Sequence, residues 1–246
     1  MNGPKVTLVL PAAGKASRLK SIKPKPLLEI AKKPLVQWIY ERVNSIFDIE
    51  SVIIIANSAN QIQLREWLVK SKIAAEVLVD DSFRGSAHAV KVSLEGIATE
   101  FVVVAWPDHI GITKVDSKPL IPLGNVDYVM PVVKRRSPYA ELVFDKGIFS
   151  GLKVHRDLEK RPDFGLSDCG LFCWKSQALR EFLLSPIQWK SDVNLLSLMA
   201  EDAGRLIKGS FPLQSDWRSS VGINSIEELQ SANELFEFES FVEEEK

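Results

Sequence analysis

The sequence predicts an α/β fold, a mixed, mainly parallel central sheet flanked by helices, and three observations predict it. Runs apolar on both faces, VTLVL at 6–10, VIIIA at 52–56 and FVVVA at 101–105, suit central strands of a parallel sheet better than surface strands, which alternate. Segments of helical period lie between them, as right-handed crossovers require. The first run also ends on Pro11-Ala12-Ala13-Gly14, followed by lysines and an arginine that packing alone does not need.

That first turn reads as a phosphate site. Small residues let the backbone approach a ligand, Gly14 can take dihedrals closed to other residues, and successive N–H groups can form an anion-binding concavity. Lys15, Arg18 and Lys25 would add cations, Arg as a planar fork and Lys as a movable point charge. The prolines of Lys23-Pro24-Lys25-Pro26 predict an extended segment with nothing buried. Neither standard nucleotide loop fits: Gly14-Lys15-Ala16 lacks the upstream glycine and the following Ser/Thr of a P-loop, and no G-x-G-x-x-G is present.

In chain order, 34–47 places Leu35, Trp38, Ile39, Val43, Ile46 and Phe47 on one helical side, with Arg42 and Asn44 opposite, toward solvent. A strand at 52–56, a helix at 61–69 and a strand at 76–79 follow. The stretch from Asp80 to Ala89 leads into another helix with Ser86 as N-cap, where Gly85-Ser86 offers free N–H groups to an anion or a base. After the strand at 101–105, Trp106-Pro107-Asp108-His109 puts Asp108 at a strand's carboxyl end, where open α/β sheets bind ligands. His109 is a loop residue.

From Val126 the period changes to short strands at 128–133, 141–144, 148–154 and 170–174, and helices become scarce. Lys134-Arg135-Arg136 reads as a solvated charge cluster. Asp192 is the expected N-cap of a helix carrying Leu195, Leu196, Leu198 and Met199 inward, and Ser225 with Glu228 forms a capping box for a last helix. The Glu-rich 237–246 reads as helix end and solvated tail.

With 246 residues and 46% hydrophobic content, one domain over 1–246 is the simplest organisation. Thirty-one Lys and Arg against thirty-two Asp and Glu exclude a global pull toward nucleic acid or anionic membrane. No run approaches the roughly twenty apolar residues of a membrane span. The opening MNGPKVTLVLPAAG is too soon broken for a secretory signal, so the expected compartment is cytoplasmic. Cys169 and Cys173 read as buried thiols rather than a zinc pair.

LPAAGKASRL followed by KPKPLLEIAKKPL resembles the signature of sugar-1-phosphate nucleotidylyltransferases, with Pro11 and Ala16 where that pattern has Ala and Gly. Gly85-Ser86-Ala87-His88-Ala89 is similar to its G-T-A/G-H-A element, and Asp108 to the Asp that closes a strand there. SDVNLLSLMAEDAGRLI and Val221-Gly222-Ile223-Asn224 resemble segments of the bacterial N-acetylglucosamine-1-phosphate uridylyltransferases. The resemblance implies a Rossmann-like domain of the nucleotide-diphospho-sugar transferase type. Residues 1–125 would form its nucleotide-binding half, 126–229 its sugar-binding half, and 225–246 a C-terminal helix and acidic tail. It implies an NTP and a sugar 1-phosphate as substrates and Mg2+ as cofactor. Arg18 and Lys25 would be catalytic, and Leu10, Ala12, Ala13, Gly14, Lys15, Asp80, Gly85 and Ser86 would bind the nucleotide. Asp168 and His155 would meet the sugar, and Asp108 and Asn224 the metal.

Two positions depart from the pattern in ways that touch specificity. Asp80 stands where the uridylyltransferases carry a Gln, and a carboxylate, which only accepts, favours a donating base edge over uracil. His155 falls near the usual sugar-binding Glu, which leaves the sugar open. No left-handed β-helix repeat follows Leu229, so an acetyltransferase half is not expected, and a homo-oligomer is neither required nor excluded. Two alternatives stand beside the sugar transferase: an enzyme of the same fold acting on a phospho-alcohol such as phosphocholine, and a non-catalytic nucleotide-sugar-binding regulatory subunit. Ala16, Trp106 and His155 speak for the latter.

Overall fold

The computed structural model describes residues 4–14, 23–111, 120–155, 158–186 and 194–244. Its first half alternates as the apolar periods require. Strand β1 (Lys5–Pro11) is followed by a hairpin of β2 (Glu29–Ile30) and β3 (Lys33–Pro34), then α1 (Leu35–Asn44), β4 (Asp48–Ala56), α2 (Gln61–Ser71), β5 (Glu76–Val79), α3 (Ser86–Val92) and β6 (Phe101–Ala105). The second half carries β7 (Tyr128–Val129), β8 (Val132–Arg136), β9 (Ala140–Asp145), β10 (Ile148–Val154), β11 (Phe164–Asp168) and β12 (Leu171–Lys175). After these come α4 (Ser176–Leu184), α5 (Leu195–Asp202), β13 (Gly209–Ser210), β14 (Leu213–Gln214) and α6 (Ile226–Glu244).

The main sheet runs β13-β7-β12-β6-β1-β4-β5. Parallel pairing joins β6, β1, β4 and β5, and β12 enters antiparallel between β6 and β7. Strands of both halves thus share one sheet, while β8, β9, β10, β11 and β14 build two smaller sheets beside it. Side chains alternate across it. Val9, Ile53, Val104 and Trp174 pack with residues of α3, α4 and α5 on one face, and Leu8, Leu10, Ile54 and Cys173 with α1 and α2 on the other. A strand with both faces covered must be apolar at every position, which is why these runs lack a period of two. The thiols of Cys169 and Cys173 are buried and free, pushed up by burial to about 11 and about 12.

A third cluster sits apart, at the end of the sheet where β1 and β6 terminate. Leu28, Ile30 and Leu35 pack there with Ile110, Val221, Ile223 and Ala232. Trp38 of α1 lies 4.5 Å from Phe236 of α6, centroid to centroid, and donates its indole N–H to the Ile30 carbonyl. This cluster fastens the β2–β3 hairpin, the loop after β6 and the start of α6 to one another.

Several local expectations are corrected. The Lys25 segment is not extended throughout: Lys25–Leu27 forms a 3-10 turn, with Pro26 buried. Gly85, at φ 90°, caps α3, so Ser86 is its first helical residue. Asn194 caps α5 by accepting from the Leu196 N–H; Asp192 lies outside the described residues. Arg135 is not solvated like Lys134 and Arg136. It turns inward to donate to the Ser220 carbonyl at 2.9 Å, and burial holds its guanidinium below the usual range.

Candidate active site

The chain passes from β1 through β4 to β5 on one side of the sheet and then returns to place β6 on the other side of β1. The strand order therefore reverses between β1 and β6, and such a switch point, beyond the carboxyl ends of the strands, is where open α/β sheets bind ligands. After β1, two buried amides pin the backbone: Asn60 Nδ2 donates to the Ala12 carbonyl at 2.9 Å and Asn57 Nδ2 to that of Ala13 at 2.8 Å. In a planar trans peptide the N–H lies opposite the C=O, so the N–H groups of Ala13 and Gly14 face away from those amides. Among the described residues, a Cβ at Gly14 would meet nothing within 4 Å. Leu10, Ala12 and Ala13 are buried and present main chain alone. Lys15 and Arg18 lie outside the described residues.

At this switch point, Lys25 donates its ammonium to Asp108 Oδ2 and stands 3.5 Å from Asn224 Oδ1. Each of the three comes from a different segment. Asp108 follows β6; its carbonyl accepts the Ile223 N–H at 2.8 Å, and Gly111 N–H donates to the Val221 carbonyl, so the two segments run as a short antiparallel ladder. Asn224 is fixed in turn by Glu228, whose Oε2 accepts the Asn224 N–H at 2.6 Å while Ser225 Oγ accepts the Glu228 N–H. The expected capping box is thus present, with its return bond made to Asn224 rather than to Ser225. Burial pushes the Asp108 carboxyl up, but the Lys25 ammonium, the His109 charge and the hydrogen bond from Lys25 outweigh it and hold it below its usual value.

Arg42 binds this frame together. Expected on the solvent side of its helix, it is buried, its Nη1 donating to the carbonyls of Cys169 at 2.9 Å and His109 at 3.3 Å and its Nη2 to Ser219 at 2.6 Å. Burial lowers its pKa to about 10, against the pull of Cys169 and Asp168. A Cβ at Gly111, where φ is +49°, would lie 2.4 Å from the Arg42 Cζ, so glycine is needed for this approach. His109 fills the gap between Gly170 and Gly222, and a Cβ on Gly170 would come within 2.2 Å of its own Cβ.

Asp108 and Asn224 offer two hard oxygens around the position now held by an ammonium, a donor set that fits magnesium. Among the described residues no group of three or more His, Cys, Asp or Glu could hold a metal, so a cation here would complete its shell with substrate oxygens and water.

The model of the MobA-like NTP transferase domain matches residues 8–162. The chain belongs to that family. The bifunctional protein GlmU of Bdellovibrio bacteriovorus is 24% identical over 94% of this chain and 51% of its own length, so the chain spans about half the length of such relatives. A Bacillus anthracis structure assigned as a glucose-1-phosphate thymidylyltransferase, in complex with sucrose, superposes with TM-score 0.74 at 15% identity over 94% of both chains. The inositol-1-phosphate CTP transferase of T. maritima does so at 0.68 and 12% identity, over 95% of this chain and 98% of that one. Identities this low speak for the fold alone.

On the β5 side of this MobA-like domain, Asp80 is buried at the end of its strand. Its Oδ1 accepts the Ser82 N–H at 2.9 Å and its Oδ2 faces His88 Nδ1 at 3.0 Å. Burial raises the carboxyl, and the bonds from Ser82 and His88 outweigh that and lower it. Gly85 caps the adjoining helix, while the Ser86 hydroxyl accepts the Leu195 N–H at 3.0 Å and so ties α3 to α5. Sequence reasoning passed over Asn57 and Asn60, placed Arg42 opposite the apolar side of its helix, and met His88 only inside the Gly85–Ala89 motif, without a role of its own. The two asparagines straight after a buried strand were a readable signal, whereas a lone Arg on an amphipathic helix was not.

In the second half of the MobA-like domain, His155 Nε2 lies 3.0 Å from Glu141 Oε2. This places a carboxylate from the neighbouring strand β9 beside the histidine. Asp168, 3% exposed, turns inward: Oδ1 accepts the Gly170 N–H at 2.8 Å and lies 3.8 Å from His109 Nδ1. Trp106 packs edge-on against Phe172, 4.9 Å between centroids. Among the described residues no helix is long and apolar enough to cross a membrane.

Proposed function

We propose that this chain transfers a nucleotidyl group from an NTP to a sugar 1-phosphate, releasing pyrophosphate. The observation that carries this reading is the convergence of Lys25, Asp108 and Asn224 beside the pinned Ala12-Ala13-Gly14 backbone at the sheet's switch point. An oxygen of the sugar phosphate attacks the α-phosphorus in line, a new P–O bond forms, and the bond to pyrophosphate breaks. A phosphate monoester is already largely ionised near neutrality, so the attacking oxygen needs no general base. What remains is positioning and neutralisation of charge.

The main-chain N–H groups of Ala13 and Gly14, with Leu10 and Ala12 behind them, line the triphosphate; Lys15 and Arg18 add charge, and Gly85 and Ser86 close the base end. Asp108 and Asn224 would hold magnesium, which when bound supplies positive charge shared between the two substrates. With Asp108 and Asn224 so engaged, the Lys25 ammonium, paired with Asp108 in the free chain, would be available to the phosphates flanking the breaking bond. Glu141 and His155 face the acceptor, with Asp168 underneath fixing the loop that carries Asp108.

The test is pyrophosphate release with magnesium, ATP, GTP, CTP, UTP or dTTP, and a panel of sugar 1-phosphates with inositol 1-phosphate and phosphocholine as non-sugar acceptors. Magnesium-dependent release with one sugar pair supports the proposal. Release with phosphocholine alone moves the acceptor class, and silence with tight nucleotide-sugar binding points to a regulatory subunit instead.

A further inference from the structure

His88 is left half-used by the contacts around it. Its Nδ1 is taken by Asp80 at 3.0 Å and lies 3.2 Å from Ser82 Oγ, and among the described residues no hydrogen bond engages its Nε2. The Asp80 side chain is 8% exposed, with both oxygens engaged inside the protein, whereas the His88 side chain is 22% exposed. Neighbouring Ala87, Ala89 and Val90 are buried in the core, whereas His88, like Ser86, stays partly exposed in the first turn of α3. It stands on the rim formed by the carboxyl ends of β1, β4 and β5. The chain of contacts from Ala13 through Asn57 to Asp80 is continuous: Asn57 Nδ2 donates to the Ala13 carbonyl, and Asp80 N–H donates to the carbonyl of Ala56, the residue before Asn57.

A carboxylate can only accept, so it holds the proton of the neutral ring on Nδ1 and leaves Nε2 as an acceptor. We propose that His88, positioned by Asp80, is the residue that selects the base, and that it selects a base with an exocyclic amino group over uracil or thymine. This rests on the nucleotidyl-transfer reading and gives Asp80 a different task from direct contact: it sets the tautomer of the ring that makes the contact. An amino group donates to Nε2; the carbonyl of uracil or thymine at the same place would face it lone pair to lone pair.

The arrangement makes an unusual demand on one substitution. In Asp80→Asn the amide oxygen keeps the Ser82 N–H and the amide nitrogen falls opposite His88 Nδ1. The amide nitrogen donates, so His88 Nδ1 must accept, and the ring proton moves to Nε2, which becomes a donor.

Dissociation constants of ATP, GTP, CTP and UTP, with magnesium and with tripolyphosphate as a base-free probe, decide the matter. The wild-type chain is expected to bind at least one amino-bearing nucleotide about tenfold tighter than UTP. His88→Ala erases that ratio without changing tripolyphosphate binding, and Asp80→Asn reverses it toward UTP. A wild-type preference for UTP, or a ratio unmoved in both variants, overturns the proposal while leaving nucleotidyl transfer standing. A chain that binds none of the four nucleotides overturns both.

Discussion

Lys25 and Asp108, 83 positions apart in the chain, form an ion pair at the β1–β6 switch point, with the Asn224 amide oxygen 3.5 Å from the same ammonium. Both side chains are about one-fifth exposed, so the pair is partly shielded from water and yet open to a ligand. It occupies the position between the Asp108 and Asn224 oxygens that is proposed above for a divalent cation.

If the ammonium and the metal compete, removing the ammonium opens the position. Lys25→Met should bind Mn2+ more tightly than wild type when no nucleotide is present, measured by calorimetry, because metal entry no longer requires breaking the ion pair. Turnover should nonetheless fall by about a hundredfold, the scale of losing one group that stabilises developing charge. Weaker Mn2+ binding by the variant would sink the competition.

The Asp108 carboxyl is held below its usual 3.8 in the folded chain. A depressed folded value means stability that is fully present above the unfolded value and is lost as pH falls through the folded one. The difference in Tm between wild type and Asp108→Asn should be constant between about pH 5 and pH 8 and shrink below about pH 4. A difference that grew on acidification would contradict the ion pair.

Arg42 donates to three carbonyls from three segments. Arg42→Met leaves them buried without a donor, at about 1 to 3 kcal/mol each before relaxation. A net loss of about 3 kcal/mol corresponds to a fall in Tm of about 10 °C for a domain of this size, measurable by calorimetry. Arg42→Lys should recover only part of this, since a point charge cannot reproduce the planar fork.

Gly170, at φ +72°, leaves room for His109 and hence for the loop that carries Asp108. Gly170→Ala should lower stability by about 1 to 2 kcal/mol through its left-handed backbone alone. It should weaken Mn2+ binding beyond what the fall in Tm explains, because the clash displaces His109 and its neighbour. Unchanged metal affinity would show that the loop tolerates the shift.

The sequence by itself determined the layering. Runs such as VTLVL and FVVVA can be buried only on both faces, so a mainly parallel sheet between helices followed from hydrophobic burial, a property of composition and period that needs no partner to be named. It also singled out Gly14 and Lys25 as residues that packing does not ask for, whereas Asp108 and Asn224 were marked by their resemblance to a family pattern and not by residue type alone. What only the tertiary structure decided is who meets whom. Arg42 reads as a solvated helix residue until three carbonyls from distant segments surround it. Asp80 reads as free to touch a base until His88 takes its oxygen, and Asp168 as open to a sugar until Gly170 and His109 enclose it. Some of these pairings join distant residues, as Arg42 does with carbonyls 67 to 177 positions away, and others near ones, as Asp80 does with His88; all depend on hydrogen-bond geometry, which leaves no period in the chain.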